Sequence, residues 1–308
     1  MSGVSKGGEL KRRIVRLLKF SAMPGLISLM ALLMHEGAVT SGVRSEVGPI
    51  ILWGVEPNYA KPAVPAPTTK ELAEGIRAGM SWIQTYGGVK VENRDDSVAA
   101  FLDGLLALRL RVIASVEHIA GGQLDTVFIT RKILKWRDHP AIGAWELVDE
   151  PEIKGVTPTD LRRAYALCKR LDPARGVVVV WAPVAHRSSY ESAGRVFDWG
   201  MIDIYPLNVA GYDSTIIPRA VAELKDRVAF EERPLTPILQ AFDDAHHRVP
   251  DIVTLTRMAQ QFHAAGATEG LALYNWNADQ TKQNLGGTGL WRDLLRTAAL
   301  RRLSSDAP

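Results

Sequence analysis

The sequence predicts a single (β/α)8 barrel of the α/β class, preceded by a segment of different composition. From residue 50 onward one unit repeats: an apolar run of strand length, a loop, and a segment with helical periodicity. The apolar runs are continuous rather than alternating, which is typical of parallel strands that are covered on both faces. Eight such units in about 250 residues match the size and element order of a (β/α)8 barrel.

The strand candidates recur about every 30 residues, and helix-start chemistry follows several of them. They span residues 50–55, 80–85, 111–116, 142–148, 177–182, 201–205, 237–242 and 271–276. Thr69, Asp96 and the pair Thr157-Pro158 supply the hydroxyl, carboxylate and proline that favour the first turn of a helix. No second domain is predicted in residues 42–308.

The first 41 residues differ from the rest in charge and hydropathy. The whole chain carries a net charge of +3, and residues 1–41 contain six cationic and two anionic side chains, which leaves −1 for residues 42–308. A basic stretch, an apolar run over residues 20–34 and small residues follow one another as in an export signal. We expect a signal peptide or a membrane anchor through residues 11–34, with the barrel periplasmic or extracellular; an amphipathic helix on the barrel is the alternative.

The composition argues against several classes of function for residues 42–308. The nearly neutral charge of residues 42–308 gives no electrostatic basis for binding nucleic acid. The single cysteine, Cys168, stands in an apolar helical pattern that predicts a buried thiol. His246 and His247 lack a third ligand at suitable spacing, so no metal is predicted, and no glycine pair has the lysine of a phosphate loop. No cofactor is implied.

The candidate catalytic residues are Asp149 and Glu150, which directly follow the fourth strand. Barrel enzymes place their chemistry at the carboxyl ends of the strands. Adjacent carboxylates push their pKa values apart, so one can donate a proton while the other stays charged. The alternative is a solvated turn before the helix at Thr157. Glu146 has the strand parity of Glu150 and is a candidate for a buried, paired acid.

Acids, amides and aromatic residues also gather at the other strand ends. These candidates are Tyr86, Glu117, His118, Trp181, Asp203, Tyr205, Gln240 and Trp276. Aromatic faces stack on the C–H faces of sugars, and carboxylates and amides bind hydroxyl groups, so this mixture predicts a carbohydrate ligand. Trp181 and Trp276 are the expected sugar platforms, whereas Trp53, Trp82 and Trp145 fall within strands and are expected in the core.

Residues 135–151 carry a resemblance to a known family. The chain reads His139-Pro140-Ala141-Ile142, then Trp145, then Asp149-Glu150-Pro151, and later Asp172-Pro173-Ala174-Arg175. This pattern resembles the strand-four signature of clan A glycoside hydrolases, the (β/α)8 relatives of cellulases and β-galactosidases. The resemblance implies that Glu150 is the general acid/base. It also implies that Tyr205 and Trp276 line the subsite beside the scissile bond.

Two positions depart from the pattern of that family. Asp149 stands where the family has asparagine, and its charge raises the pKa of one member of the pair. Gln240 stands where the family carries its nucleophilic glutamate at the end of strand seven. An amide cannot form the glycosyl-enzyme ester of the retaining mechanism. We expect Gln240 to bind a sugar hydroxyl instead.

Four interpretations of the missing nucleophile follow. The second carboxylate can come from another strand end, where the candidates are Asp203, Glu117, Asp243 and Glu56. An acetamido group of the substrate, oriented by Asp149, can take its place. The chain can be a carbohydrate-binding barrel without catalysis, or Gln240 is not the equivalent position. We expect a glycoside hydrolase in which Glu150 is the general acid/base, assisted by Asp149 and Asp203.

Overall fold

The computed structural model describes residues 48–55, 66–87, 89, 95–182, 195–228, 234–276, 285 and 289–297. The chain divides into two units, Met1–Arg44 and Ser45–Pro308, and every described residue belongs to the second. The expected signal or anchor segment therefore lies outside the described residues. Among the helices that are described, none is long and apolar enough to cross a membrane.

Eight parallel strands close into a barrel, which confirms the predicted fold class. The strands are β1 (Ile50–Leu52), β2 (Met80–Thr85), β3 (Arg111–Ser115), β4 (Ile142–Asp149), β5 (Gly176–Trp181), β6 (Trp199–Asp203), β7 (Leu235–Gln240) and β8 (Leu271–Tyr274). Each strand pairs with the next one in the chain, and β8 pairs with β1. Each strand overlaps a predicted apolar run, and the bounds differ by at most three residues, the largest difference being the earlier end of β1.

Seven helices are present in the described residues. They are α1 (Thr69–Arg77), α2 (Asp95–Ala107), α3 (Thr126–Trp136), α4 (Pro158–Leu171), α5 (Ile216–Arg227), α6 (Ile252–Ala264) and α7 (Leu290–Arg296). Thr157 caps α4 by accepting a hydrogen bond from the Asp160 N–H, and Pro158 occupies the first turn, as predicted. Short hairpins follow β3 (residues 119–124) and β6 (residues 207–212).

Apolar side chains fill the middle of the barrel. This core consists of Ile51, Trp53, Ile113, Ala144, Val178, Val180, Met201, Ile238 and Ala272. Side chains two residues further along a strand face the same interior, so the core is followed by a ring at the carboxyl ends. Its members on five of the strands are Ser115, Glu146, Asp203, Gln240 and Tyr274. The fold therefore brings the predicted candidates from several strands to one end of the barrel.

Most residues of the pattern that resembles clan A glycoside hydrolases hold β4 in place at the end of the barrel opposite to the carboxyl ends of the strands. The indole nitrogen of Trp145 donates to Asp172 at 2.8 Å, and Arg175 binds the same carboxylate at 2.8 Å. Arg175 also donates to the carbonyl groups of Ile142 and His139. Trp145 is fully buried, as predicted. The stretch from 139 to 145 and the segment 172–175 are thus structural, which leaves Asp149 and Glu150 as the signature residues at the carboxyl end.

Cys168 occupies the apolar face of α4, and its side chain is fully buried. Burial raises the pKa of this thiol to about 12, so it stays protonated and is a poor nucleophile. This confirms the prediction of a buried structural thiol.

Candidate active site

A bulge near the end of β4 decides which acids face the barrel interior. Glu146 pairs with Val178 on β5, whereas Asp149 pairs with Val180, so three steps along β4 match two along β5. Because Val178 and Val180 both belong to the barrel core, Glu146 and Asp149 both point inward. Counting residues in twos from Glu146 passes over Asp149, because such a count assumes a regular strand; Glu150 lies beyond the end of β4, where strand alternation no longer applies.

Lys154, in the loop after β4, holds two of the carboxylates. Its ammonium group lies 2.9 Å from Glu117 and 3.5 Å from Asp149. Glu117 also accepts the backbone N–H of Asp149 at 2.8 Å, which ties the end of β3 to the end of β4. Burial raises the pKa of Asp149, and Lys154 partly offsets this effect. Burial disfavours charged Lys154, but Asp149 and Glu117 outweigh it, so the pKa of the ammonium group is raised.

The role of Lys154 leads to a stability prediction. Lys154→Met should lower the free energy of unfolding by about 2 kcal/mol at pH 7, because it leaves two partly buried carboxylates without their cation. The loss should shrink at pH 5, where a carboxylate can take up a proton. Urea unfolding at both pH values measures this. Lys70→Met, at a side chain that is 84% exposed, is the control and should change stability by less than about 0.5 kcal/mol; an equal effect of both variants contradicts the prediction.

Glu146 is the deepest acid of the site and is fully buried. Its carboxyl group accepts a hydrogen bond from Gln84 at 2.6 Å, and both Gln84 and Ser115 on β3 act to lower its pKa. Burial raises its pKa well above the ordinary value, and the charges of Asp149 and Glu117 add to the shift. The structure confirms the expectation of a buried, paired acid. Its raised pKa favours the neutral form, which limits the negative charge beneath Asp149.

Three tyrosines line the interior around these acids. Tyr86 accepts a hydrogen bond from the indole of Trp53 at 2.7 Å and bonds Asp149. The ring of Tyr205 stacks on Tyr274, with 5.9 Å between ring centroids. Burial raises the pKa of both Tyr86 and Tyr205, with added contributions from Asp149 and Asp203 respectively. These phenols therefore remain hydrogen-bond donors at neutral pH. Tyr274 was not singled out from the sequence.

Asp203 ends β6 and faces the same interior as Asp149, because it follows the core residue Met201 by two positions. It is close enough to Tyr205 to raise the pKa of that phenol. Neighbouring strands lie about 4.8 Å apart, so β4 and β6 are separated by about 10 Å along the barrel wall. Asp203 thus stands across part of the barrel from the acids of β4.

Glu150 lies directly after β4 in an unusual backbone conformation. Its φ angle is 49°, in the left-handed region that residues other than glycine seldom adopt. Its N–H donates to the carbonyl of Val180 at 3.0 Å, and its carbonyl accepts the N–H groups of Ile153 and Lys154, both at 3.1 Å. Hydrogen bonds on both sides therefore hold a half-buried acid in a strained conformation, a pattern that clusters at functional sites.

Glu152 joins the loop after β4 to the end of β5 and was not predicted from the sequence. It is 6% exposed, and its carboxyl group accepts the backbone N–H of Ala182 at 2.5 Å. Burial raises its pKa to about 7, and the charges of Glu150 and Asp149 contribute. This loop anchor therefore titrates near neutral pH.

The raised pKa of Glu152 gives a second prediction. Between about pH 4.5 and pH 7 the folded chain keeps a proton that the unfolded chain releases, so this group lowers stability as pH rises through that window. Glu152→Gln removes the titration. The stability of the variant relative to wild type should increase by roughly 1–3 kcal/mol from pH 4.5 to pH 8, measured by urea unfolding. Glu74→Gln, on α1, should follow the wild-type curve; a constant difference for Glu152→Gln would refute the assignment.

Gln240 does not face the site in the way that was expected. It is fully buried. Its amide nitrogen donates to the carbonyls of Leu207 at 2.9 Å and Arg248 at 2.6 Å, and its oxygen accepts the Leu207 N–H at 3.2 Å. The side chain therefore fastens the segments after β6 and β7 to each other. Its hydrogen-bonding groups are engaged by protein backbone, which corrects the expectation that it binds a sugar hydroxyl.

Trp181 and Trp276 were expected as sugar platforms, but the structure places both in the core. Each is 1% exposed. Trp181 makes an edge contact with Phe197 at 5.9 Å, and Trp276 makes one with Trp291 at 5.4 Å. These edge contacts with Phe197 and Trp291 explain why both tryptophans are buried. An aromatic ring at the end of β8 does border the interior, but it belongs to Tyr274.

Two histidine positions have local partners. His118 stacks on Phe128 at 4.5 Å and lies 3.1 Å from Asp125, the residue that caps α3, so it belongs to the edge of the barrel mouth. His247 lies 2.9 Å from Asp244 and contacts the Tyr205 ring. In the part of the chain that is described, no three His, Cys, Asp or Glu side chains are grouped as a metal site. Glu56 lies outside the described residues.

Comparisons with known proteins bear on the fold. No family model matches the sequence, and neither does any curated protein sequence. Solved structures do match. One is a structure from Bacteroides thetaiotaomicron that is described as an α-L-fucosidase. It matches this chain with a TM-score of 0.62 and 11% sequence identity, over 86% of this chain and 98% of that one. The fold is therefore shared with barrels of glycoside hydrolases.

Two further structures are larger proteins. A GH2 β-galacturonidase from Eisenbergiella tayi has a TM-score of 0.54 and 15% identity over 83% of this chain and 51% of that one. A β-galactosidase from the psychrophilic Marinomonas ef1 has a TM-score of 0.55 and 10% identity over 83% and 62%. This chain thus spans about half to two thirds of their length. At such identities the similarity establishes the fold.

Proposed function

We propose that this chain hydrolyses a glycosidic bond, with Glu150 as general acid/base at the carboxyl end of the barrel. The supporting observation is the arrangement after β4: Asp149 faces the interior with a raised pKa, and Glu150 follows in a strained, hydrogen-bonded conformation. A strained acid beside a second acid, in a fold shared with glycoside hydrolases, fits acid–base catalysis. The clan A pattern assigns Glu150 the same role.

Each polar residue of the site has a place in this proposal. Glu150 protonates the departing oxygen while the Asp203 carboxylate attacks the anomeric carbon, and Glu150 then takes a proton from the water that hydrolyses the resulting glycosyl-enzyme ester. Asp149 holds a hydroxyl or acetamido group, and Asp203 across the interior is the second carboxylate. Tyr86, Tyr205 and Tyr274 line the cavity and contact the sugar. Glu117, Glu146 and Lys154 are positioning residues, since their bonds fix the end of β4 rather than reach toward a ligand.

The charge of the site favours a neutral sugar. Asp149 and Glu117 face one ammonium group, that of Lys154, so the described groups near the end of β4 carry excess negative charge when both acids are ionised. A uronic acid would be repelled by these carboxylates. Among the activities named for the similar structures, a fucoside or a galactoside therefore fits the described site better than a galacturonide. The signal-like composition of residues 1–41 adds export to the proposal.

A carbohydrate-binding barrel without catalysis is the second candidate, and the position of Gln240 favours it. Gln240 supplies no carboxylate at the end of β7, where clan A enzymes carry their nucleophile. In that case the acids of β4 would bind hydroxyl groups without turnover.

A panel of 4-methylumbelliferyl glycosides tests the proposal. Wild type should hydrolyse the α-L-fucoside or the β-D-galactoside in preference to the β-D-galacturonide. Glu150→Gln should lower kcat/KM by about a thousandfold, because general acid–base catalysis contributes about 10²–10⁴-fold. Glu74→Gln, at a surface position on α1, is the matched control and should keep full activity. Sugar binding by calorimetry without turnover of any glycoside would favour the binding protein instead.

A further inference from the structure

A groove on the outer wall of the barrel, between α3 and α4, has no role in the proposed hydrolysis. Its volume is about 500 Å³. Its lining consists of Thr126, Val127, Thr130, Arg131, Arg163, Ala166, Leu167 and Arg170. Three arginines thus border one groove, and no acidic side chain is part of its lining.

The charge of these two helices stands out against the rest of the barrel. Together α3 and α4 contain seven cationic side chains and one carboxylate, that of Asp160. Residues 42–308 as a whole carry a net charge of −1. The two helices therefore carry a local net charge of +6. Arginines gathered there repel one another and gain little from packing, since Arg131, Arg163 and Arg170 are exposed.

Two of the guanidinium groups are available to a ligand. Four cations of the pair of helices have partners within the protein: Lys132, Lys135, Arg162 and Lys169. Arg131 and Arg170 have no hydrogen bond or ion pair with any residue that the structure describes. Their charges are directed to solvent at the edge of the groove.

The third guanidinium group, that of Arg163, is held in place by the buried carboxylate of Asp160. Arg163 donates to Asp160 at 2.6 Å, and the other oxygen of Asp160 accepts the backbone N–H of Leu124 at 2.6 Å. Asp160 is 6% exposed, so it anchors Arg163 without adding a carboxylate to the groove surface. This anchor lowers the entropy that Arg163 would lose on binding an anion.

We propose that the groove between α3 and α4 binds an anionic ligand that carries at least two phosphate groups. The planar guanidinium group matches the geometry of phosphate oxygens and binds them in pairs. Arg163 and Arg170 are seven residues apart on one face of α4, about 10 Å along the helix, which is too far for one phosphate to bridge easily. Because Asp160 offsets the charge of Arg163, the three arginines leave a net charge of +2 at the groove, which two phosphate groups neutralise even as diesters of one negative charge each.

The lining also indicates what the ligand lacks. No aromatic side chain lines the groove, so bases of a single-stranded nucleic acid would find no stacking partner there. Leu167 and Val127 give an apolar contact beside the arginines, and Val127 is 67% exposed. A phosphate-bearing ligand with an apolar body, such as a lipid headgroup with its glycerol, and a soluble polyphosphate share the required chemistry.

Binding of inorganic tripolyphosphate to the full chain, measured by calorimetry, tests the site. A second arm measures co-sedimentation with vesicles that contain cardiolipin, which has two phosphates, against vesicles of phosphatidylcholine. Binding in either arm should weaken at least tenfold in the double variant Arg131→Gln/Arg170→Gln and fall steeply between 50 and 300 mM salt. Arg292→Gln, an exposed arginine on α7, is the control and should bind like wild type.

The two arms distinguish the sources of the phosphate. Binding of tripolyphosphate points to a soluble ligand, and binding to the cardiolipin vesicles alone points to a lipid headgroup. Absence of binding in both arms overturns the proposal, and so does a double variant that binds like wild type. Unfolding curves of the double variant should overlay those of wild type, because both side chains are exposed. None of these readouts depends on glycoside hydrolysis.

Discussion

Replacing Glu150 with asparagine is expected to lower kcat/KM for glycoside hydrolysis by about a thousandfold while making the fold more stable. Asparagine cannot donate the proton that a carboxylic acid supplies. It does tolerate the left-handed conformation that Glu150 adopts at φ 49°. The free energy of unfolding should therefore rise by about 1 kcal/mol, as urea unfolding would show. A residue that lowers the stability of the fold but is required for activity is there for function and not for structure.

Arg109→Asn is the matched control for this variant. Arg109 is the other described residue besides glycine with a positive φ, 60°, and it lies after α2 at an exposed position. Its substitution should stabilise the fold by a similar amount and leave kcat/KM unchanged. Retained activity in Glu150→Asn would remove Glu150 from the mechanism, whatever the stability of the variant.

Changing Gln240 to glutamate is expected to destabilise the fold strongly and to create no nucleophile. At pH 7 the new carboxylate would face the carbonyl oxygens of Leu207 and Arg248, to which the amide of Gln240 now donates. A buried charge without a partner costs about 3–5 kcal/mol. The loss should decrease below about pH 5, where the glutamate can hold a proton in the folded state. Urea unfolding at pH 7 and pH 4.5 measures the effect.

The same variant separates two interpretations of the chain. If the barrel has lost a catalytic glutamate at β7, Gln240→Glu should gain activity and remain folded. The observed hydrogen bonds predict the opposite result, a weakened fold with no gain in hydrolysis. Gln123→Glu, in the exposed hairpin after β3, is the control and should alter stability by less than about 0.5 kcal/mol.

The sequence predicts the barrel well because its strands are buried on both faces. The run Val177–Ala182, for example, is continuously apolar, so its assignment as a strand does not depend on which residue faces inward. The helix start at Thr157-Pro158 follows from local capping chemistry and was also predicted. Both signals are local, and tertiary packing did not override them.

The details of the site depend on irregularities that the sequence does not display. The bulge in β4 turns Asp149 inward, and no residue type marks it. The hydrogen bonds of Gln240 depend on two loops far apart in the chain, and those of Lys154 on the end of β3. Trp276 and Tyr274 are two residues apart, and their burial differs because Trp291 of α7 covers the tryptophan. Strand counting alone selects Trp276 and passes over Tyr274.

If Glu150 donates a proton to the departing oxygen, the effect of its replacement depends on how much the leaving group needs that proton. We would measure kcat/KM of wild type and Glu150→Gln with the phenyl and the 2,4-dinitrophenyl glycoside of the preferred sugar. A phenyl group needs a proton to depart, whereas dinitrophenolate does not. We expect Glu150→Gln to lose about a thousandfold in kcat/KM with the phenyl glycoside and less than about tenfold with the dinitrophenyl glycoside. Equal losses with both substrates, or no loss with either, would contradict this expectation.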